Sequence, residues 1–433
     1  MSATCHTDEI SLPPLSAKTT KDALWQRALI LSLPFCMFVA WITVLSTGQG
    51  RVDAMGNPVG GDFAMFYIAG QMARQGEWSV LYDEPLQQAR LLELMPSLPG
   101  DSYLPYRYPP VIAILAAPLT MLPYWAAFIL YTCASLTSWL LSIHILVRTF
   151  LPRPDATTAT AVLAIAVAPV MLQSLIDGQA STWWFAIAVG CWCSLQRGQT
   201  VTAGALLALA ACKPNVMLLL GVVLILRFPR MLIGFVATGC GLLSLTLLVA
   251  GTECLAAYIE LGKQLAVSPW SVETPYWKVQ SLLSWTELFV GPAARRINLV
   301  VGLSAAVGIG IWWRGHRTSQ RVATEVLCAS LLVNALFNPY TPVYDLTLLC
   351  LGAFACVAGL AGRVWRGTDS TWLKRRDVQS SLAIILFCPI MSQAIAKAFQ
   401  SGLQVMPLCL LGIAGYWFVR RTFKGRPAVA ALQ

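Results

Sequence analysis

Charge is scarce in this sequence. Of 433 residues, 12% are Asp, Glu, Lys or Arg, while 57% are hydrophobic. A soluble domain typically carries about 25% charged residues, and so thin a charged coat excludes a soluble protein of this length. Histidine is scarcer still, with three residues: His6, His144 and His316. Cysteine is present 13 times, but no Cys-x-x-Cys occurs. Cys133, Cys191, Cys193, Cys240, Cys328 and Cys350 lie in apolar runs, where thiols act as small hydrophobes. The missing Cys/His spacing excludes a zinc site and a disulfide framework. The net charge of +10 comes without a basic face interleaved with aromatics, so no nucleic-acid partner is expected. No internal repeat is seen.

What the sequence has instead is apolar residues in blocks of bilayer-spanning length, about 17–25 residues. Spans are expected at about 25–47, 124–147, 157–176, 181–196, 231–250, 296–313, 322–337, 343–361, 379–396 and 402–419. Two shorter apolar pieces, 200–212 and 215–226, flank Lys213-Pro214. Each is about half a bilayer thick at about 1.5 Å per residue, and they form either two short tilted spans or one hairpin entering and leaving on the same side. The piece 111–122, between Pro110 and Pro123, reads as re-entrant or interfacial. The fold class is an all-α polytopic membrane protein, a single domain over 25–419 with polar tails at 1–24 and 420–433. The first apolar run is too long for a secretory core and reads as a retained span.

Lys and Arg collect in cytoplasmic loops. With both termini inside, the inner loops hold 20 of the 30 basic residues, among them Arg148, Arg197, Arg227, Arg314 and Arg363, and the outer side holds 13 of the 20 acids. The long segments 48–110 and 251–295 then lie outside. The first, rich in Tyr, Trp, Pro and Gly, reads as interfacial helices at about 63–75 and 84–95. The second contains Pro269-Trp270, Pro275-Tyr276-Trp277 and Trp285. Such aromatics suit a headgroup layer, and also a sugar-stacking surface.

Asp62 follows Gly60-Gly61 and opens an amphipathic helix just beyond the first span. It reads as an N-cap, as a general base at the membrane–water boundary, or as both. Lys213 interrupts an apolar stretch, which is costly in a bilayer and marks function by default; the plainer reading is snorkelling to the interface. Arg107, between Tyr106 and Tyr108, is either a phosphate cation or a headgroup anchor. Asp345, after Tyr344 at the start of a span, reads first as an N-cap and second as an acceptor ligand.

Several short pieces recur in order: Gly61-Asp62-Phe63 with Phe66-Tyr67, Gly76 with Leu81-Tyr82-Asp83, Tyr106-Arg107-Tyr108-Pro109-Pro110, Pro118-Leu119 with Leu122-Pro123, Gly178-Gln179, Ala203-Gly204 and Lys213-Pro214. This order resembles the family 87 glycosyltransferases of the GT-C superfamily, from about Gly61 to Pro214 and more loosely to Asp345. One departure is that Ala180 and Ser181 follow Gln179 where members often carry Asn. The resemblance implies a GT-C-type bundle of about 10–12 transmembrane helices with its catalytic loop at 48–110. It implies transfer of a hexose, mannose foremost, from a polyprenyl phosphate to a lipid or glycan acceptor, in a bacterial inner membrane with the site on the extracytoplasmic side. Asp62 is then the expected base, and Lys213 and Arg107 the expected donor-phosphate cations. Tyr67, Tyr106, Tyr108, Gln179, Tyr344 and Asp345 are the expected substrate-binding residues. No metal ligand set and no cofactor is expected, with a divalent metal left open. The expected partners are the donor, the acceptor and membrane lipids.

Two other classes compete. A transporter or flippase of a polyprenyl-linked substrate fits the short broken segments at 200–226, but transporters usually carry internal repeats and midplane charges. A non-catalytic partner in polymer synthesis has no need of Asp62.

Overall fold

The computed structural model describes residues 17–424 apart from 103, 152–153, 268–277, 316–319, 339, 366–375 and 400–403. His6, His316, Pro269-Trp270, Pro275-Tyr276-Trp277 and most of both tails lie outside the described residues. The regular elements among the described residues are helices, and the extended pairings are isolated bridges: Gln49 with Val52, Val52 with Pro58, and Val279 with Pro342.

The chain opens with α1 (Ala17–Ser46), then lays down three short helices, α2 (Gly61–Gln75), α3 (Glu84–Leu94) and α4 (Pro110–Ala116). Asp83 caps α3 by accepting from the Leu86 amide at 2.8 Å, and Pro110 opens α4 at its first position, where a missing amide costs nothing. There follow α5 (Tyr124–Phe150), α6 (Ala156–Ala166), α7 (Pro169–Ile176), α8 (Ser181–Gln196), α9 (Thr200–Ala210), α10 (Pro214–Arg227) and α11 (Met231–Val267). The last third holds α12 (Leu283–Val290), α13 (Ala294–Arg314), α14 (Gln320–Phe337), α15 (Thr347–Trp365), α16 (Arg376–Ala398) and α17 (Val405–Lys424). Six helical stretches among the described residues are long and apolar enough to cross a membrane: Arg27–Ser46, Tyr124–Phe150, Ala156–Ile176, Met231–Leu265, Ala294–Arg314 and Val378–Ala398. The outward faces of these stretches are apolar. Phe35 is 66% exposed, Leu248 85% and Val300 61%, whereas Ser174, Thr182, Asn298 and Asn334 are buried. Large apolar side chains outside and polar ones inside are what a hydrocarbon solvent selects.

The structure departs from the sequence expectation in two places. The 157–176 span is two helices, because Pro169 lacks an amide and pushes Ala168 out of the helical region (φ −56°, ψ 132°). The 231–250 span runs on to Val267 past a break at Gly251 (φ 79°, ψ 175°). Much of the expected outer loop 251–295 is therefore helical. The 200–226 region agrees with the expectation of two short pieces: it is two helices joined by a turn through Lys213.

The Ala203-Gly204 piece of the sequence pattern has a packing role. A Cβ on Gly204 would lie 1.9 Å from the Met231 carbonyl oxygen, and one on Gly234 would lie 1.9 Å from that of Val201. Small residues thus bring the backbones of α9 and α11 into direct contact, the usual source of association where lipid removes the hydrophobic drive. Gly204→Ala forces backbone apart and is expected to cost about 1–3 kcal/mol, read as a lower melting temperature in detergent. Gly239→Ala, on the same α11 with open space at the Cβ position, serves as the neutral control. Equal melting of the two variants would refute the contact.

Candidate functional site

Two glycine turns bring the first acid into place. Gly60 (φ 73°) caps α2, and Gly178 (φ 63°) turns the chain after α7. The Asp62 amide donates to the Asp177 carbonyl oxygen at 2.8 Å. A Cβ on Gly178 would sit 2.5 Å from the Gly60 carbonyl oxygen and from the Phe63 Cβ. Only glycine allows both the turn and the approach. Beneath this contact Phe63 is fully buried, with Tyr124, Phe128 and Tyr131 ring centroids 5.0–5.6 Å away. The N-cap reading of Asp62 is corrected: the cap is Gly60, and the Asp62 carboxylate makes no capping bond. Nor does that carboxylate accept a hydrogen bond from any described residue.

The second acid, Asp345, is buried and fully engaged. Its Oδ1 accepts from Lys213 Nζ at 2.8 Å and from Ser181 Oγ at 3.0 Å, and its Oδ2 lies 3.4 Å from Asn215 Nδ2. Asn215 Nδ2 also donates to the Tyr340 carbonyl at 2.8 Å. The N-cap reading of Asp345 is therefore corrected as well, since it sits inside the short turn Val343–Leu346 that follows Pro342. Snorkelling by Lys213 is corrected too. Its side chain is 9% exposed and pairs inward, with Nζ 4.9 Å from the Tyr344 ring centroid and 6.0 Å from that of Tyr108.

The third acid is Asp177, whose carboxylate accepts from Gln173 Nε2 at 2.8 and 2.9 Å. The three acids and the lysines feel one another. Crowding by protein, and then the Asp177 charge, lift the Asp62 carboxyl to about 7, against the pull of Lys278 and Lys213 and with a further push from Asp345. Burial lifts Asp177 to about 6, opposed by the Gln173 hydrogen bond and by Lys278 and Lys397. Tyr108, buried with its phenol held well above the usual range by desolvation, stays a neutral donor; its hydroxyl reaches Gln179 Oε1 at 3.4 Å.

This cluster lies at one end of the bundle. Ser181, Asn215 and Asp345 stand at the starts of α8, α10 and α15, while Arg197, Arg227 and Arg363 stand at or near the other ends of the same helices. Helices of 14–19 residues separate those ends by roughly 21–28 Å. The model of glycosyltransferase family 87 matches residues 106–341, which include Tyr108, Asp177, Gln179 and Lys213. The chain belongs to glycosyltransferase family 87. It is a membrane glycosyltransferase. No curated protein and no solved structure matches it.

In this family 87 enzyme, the residues expected at the site divide into two groups. Asp62, Tyr108, Gln179, Lys213, Tyr344 and Asp345 share one electrostatic neighbourhood. Tyr67 and Tyr106 are committed to the fold: Tyr67 donates to the Leu122 carbonyl and Tyr106 to the Pro109 carbonyl, each at 2.8 Å. Arg107 is half-buried between Tyr106 and Tyr108. Asp177, Ser181, Asn215 and Lys278 join the first group in the structure, beyond the residues that the sequence pattern marks. Asp177-Gly178 carried a visible turn signal, but nothing in the local sequence ties Lys278 or Asn215 to Asp62.

The buried pair gives a direct test. Asp345→Asn strands the Lys213 charge and is expected to cost about 3–5 kcal/mol. The double variant Lys213→Met/Asp345→Leu, with no charge left to strand, is expected to cost less than the single one. Melting of the two variants in detergent decides, and additive losses would count against the pair.

Proposed function

We propose that this enzyme transfers a hexosyl group, mannosyl foremost, from a polyprenyl phosphate to a lipid or glycan acceptor. In this reading the reaction takes place on the extracytoplasmic side of a bacterial inner membrane, by a single inverting displacement. The observation that carries the proposal is Asp62: a carboxylate at the helix-end cluster, without a hydrogen-bonding partner among the described residues, and balanced near neutrality at about 7. A general base works best with its acid constant near the working pH.

The chemistry follows from the donor. A polyprenyl tail holds the phosphate, and so the anomeric carbon, at the bilayer surface. The acceptor oxygen attacks that carbon from the face opposite the phosphate and its proton passes to Asp62. The bond from the anomeric carbon to the phosphate oxygen breaks, and polyprenyl phosphate leaves. The transition state is oxocarbenium-like, as in glycoside hydrolysis. Charge gathers on the departing phosphate, where cations stabilise it. Lys213, held by Asp345, and Arg107 are assigned that role, with Tyr108, Gln179, Tyr344 and Asp345 around the substrate. Family membership and the clustering of charge at the helix ends favour transfer over the transporter reading.

Asp62→Asn keeps the size but takes no proton at neutral pH. Turnover at saturating donor and acceptor is expected to fall about 10²–10⁴-fold with donor still bound. In the wild type, turnover is expected to rise with pH through about 7 and to fall about tenfold per unit below it, because only the ionised base works. Stability runs the other way. A carboxyl raised from 3.8 to about 7 on folding favours the folded state most below pH 4, and that contribution is lost as pH rises to about 7. Asp62→Asn is thus expected to melt at or above the wild type at pH 8. Turnover close to wild type in this variant would remove Asp62 from the mechanism.

Sidedness has its own test. In a background without exposed native thiols, a cysteine replacing Ser79 is expected to react with an impermeant reagent in intact cells. One replacing Gln199, beside Arg197, is expected to react only after lysis. The reverse pattern would put the site on the cytoplasmic face.

A further inference from the structure

Beside the charged cluster runs a short strap, residues 278–282, laid against Leu336 and against Thr341-Pro342. Val279 bridges to Pro342, the Gln280 amide donates to the Thr341 carbonyl at 2.8 Å, and the Leu282 amide donates to the Leu336 carbonyl at 2.8 Å. The strap is thereby fixed to the segment that bears the site. The Tyr340 carbonyl, one residue from Thr341, accepts from the same Asn215 nitrogen that reaches Asp345. At the strap's start, Lys278 acts on both Asp62 and Asp177.

Three side chains on these two segments are unusual. Gln280 and Ser281 are completely buried and Thr341 is 3% exposed. The Gln280 Oε1 and Nε2, the Ser281 Oγ and the Thr341 Oγ1 have no hydrogen-bond partner among the described residues. A buried amide and two buried hydroxyls left this way are costly, and native proteins seldom tolerate them except where a ligand or bound water completes the set. Together they offer donors and acceptors without net charge. That set does not match a phosphate, which calls for cations and amides. It matches a polyhydroxyl ring, whose every hydroxyl both donates and accepts.

We propose that the strap reads the hydroxyl groups of the transferred sugar, with Gln280, Ser281 and Thr341 as specificity-determining residues. The proposal rests on the polyprenyl-phosphate reading above and adds to it where the sugar is recognised. Buried polar groups built for a partner's hydroxyl reject ligands that lack or misplace it far more strongly than apolar pockets discriminate by size. Donors epimeric at one hydroxyl are therefore expected to be discriminated here rather than at Asp62.

The test separates sugar from phosphate by binding. Purified wild type, Gln280→Leu and Thr341→Val are titrated with polyprenyl phosphate alone and with polyprenyl phosphates carrying mannose or glucose, following melting temperature and affinity. Thr341→Val is nearly isosteric, and guards against failure of Gln280→Leu to fold. Wild type is expected to bind one sugar donor more tightly than bare polyprenyl phosphate and than its epimer. Each variant is expected to lose about tenfold of that sugar-dependent preference while binding bare polyprenyl phosphate as before. Variants that retain the full preference, or a wild type that binds lipid phosphate with no sugar-dependent gain, would overturn the strap's role and leave the donor class standing. Absence of binding to every polyprenyl phosphate would overturn the donor class and the strap's role together.

Discussion

The Lys213–Asp345 pair is the constraint around which the site is arranged. Two charges taken out of water cost several kcal/mol each, and attraction repays that only with good geometry and further hydrogen bonds. Here the further bonds come from Ser181 and Asn215. The four residues belong to the starts of α8 and α10 and to the turn before α15, so satisfying one carboxylate fixes the ends of three helices. The Asn215 side chain extends the lock to the Tyr340 carbonyl, and from there backbone bonds carry it to the strap. The charges of this cluster sit at helix ends and turns, where backbone turns and polar side chains are available to satisfy them.

Against this locked pair stands Asp62, fixed by its backbone instead. Its amide is tied to Asp177 through the glycine turns, while its carboxylate is left to the field of its neighbours. Desolvation and two acids push it up; two lysines pull it down. The balance at about 7 shows that burial and like charge win, but not by enough to keep the group protonated in weakly alkaline conditions. A carboxylate at its ordinary value of 3.8 is ionised there too, yet is a weaker base. The same position without Asp177 would lose part of that basicity.

Much of the fold was legible. The interfacial helices expected at 63–75 and 84–95 appear as Gly61–Gln75 and Glu84–Leu94, because glycine, aspartate and proline mark their starts. Six of the ten expected membrane spans are helices long and apolar enough to cross a bilayer among the described residues, and they were legible because apolar run length is a local property. The break at Gly251 was not, since a single glycine is tolerated in many membrane helices. Within the site, Lys213 stood out by its cost in an apolar run, but its partner lies 132 residues away and leaves no local trace. Asp62 and Asp345 were both open to N-cap readings, which spacing alone could not remove; the dihedral angles and partners do. The Tyr-x-Tyr-Pro-Pro pattern hid two different uses of tyrosine, since Tyr106 spends its hydroxyl on the backbone while Tyr108 faces Asp62, Asp345 and Gln179.

The packing behind the site bears on why this bundle suits transfer. Group transfer rewards rigid placement, and an error near 1 Å can cost about a hundredfold in rate. Alternating access needs two packings of similar energy for the moving parts. The α9–α11 contact is backbone on backbone at Gly204 and Gly234, and helices so close have no side-chain layer to slide on. The turn carrying Lys213 follows α9 directly, so one short helix links the tight contact near its start to the buried ion pair just past its end. A protein that rocked about 200–226 would have to open this contact and break the Lys213–Asp345 pair in the same motion, stranding both charges. The cost of that motion weighs against the transporter reading, and the same stiffness holds Lys213 in place for a reaction at the helix ends.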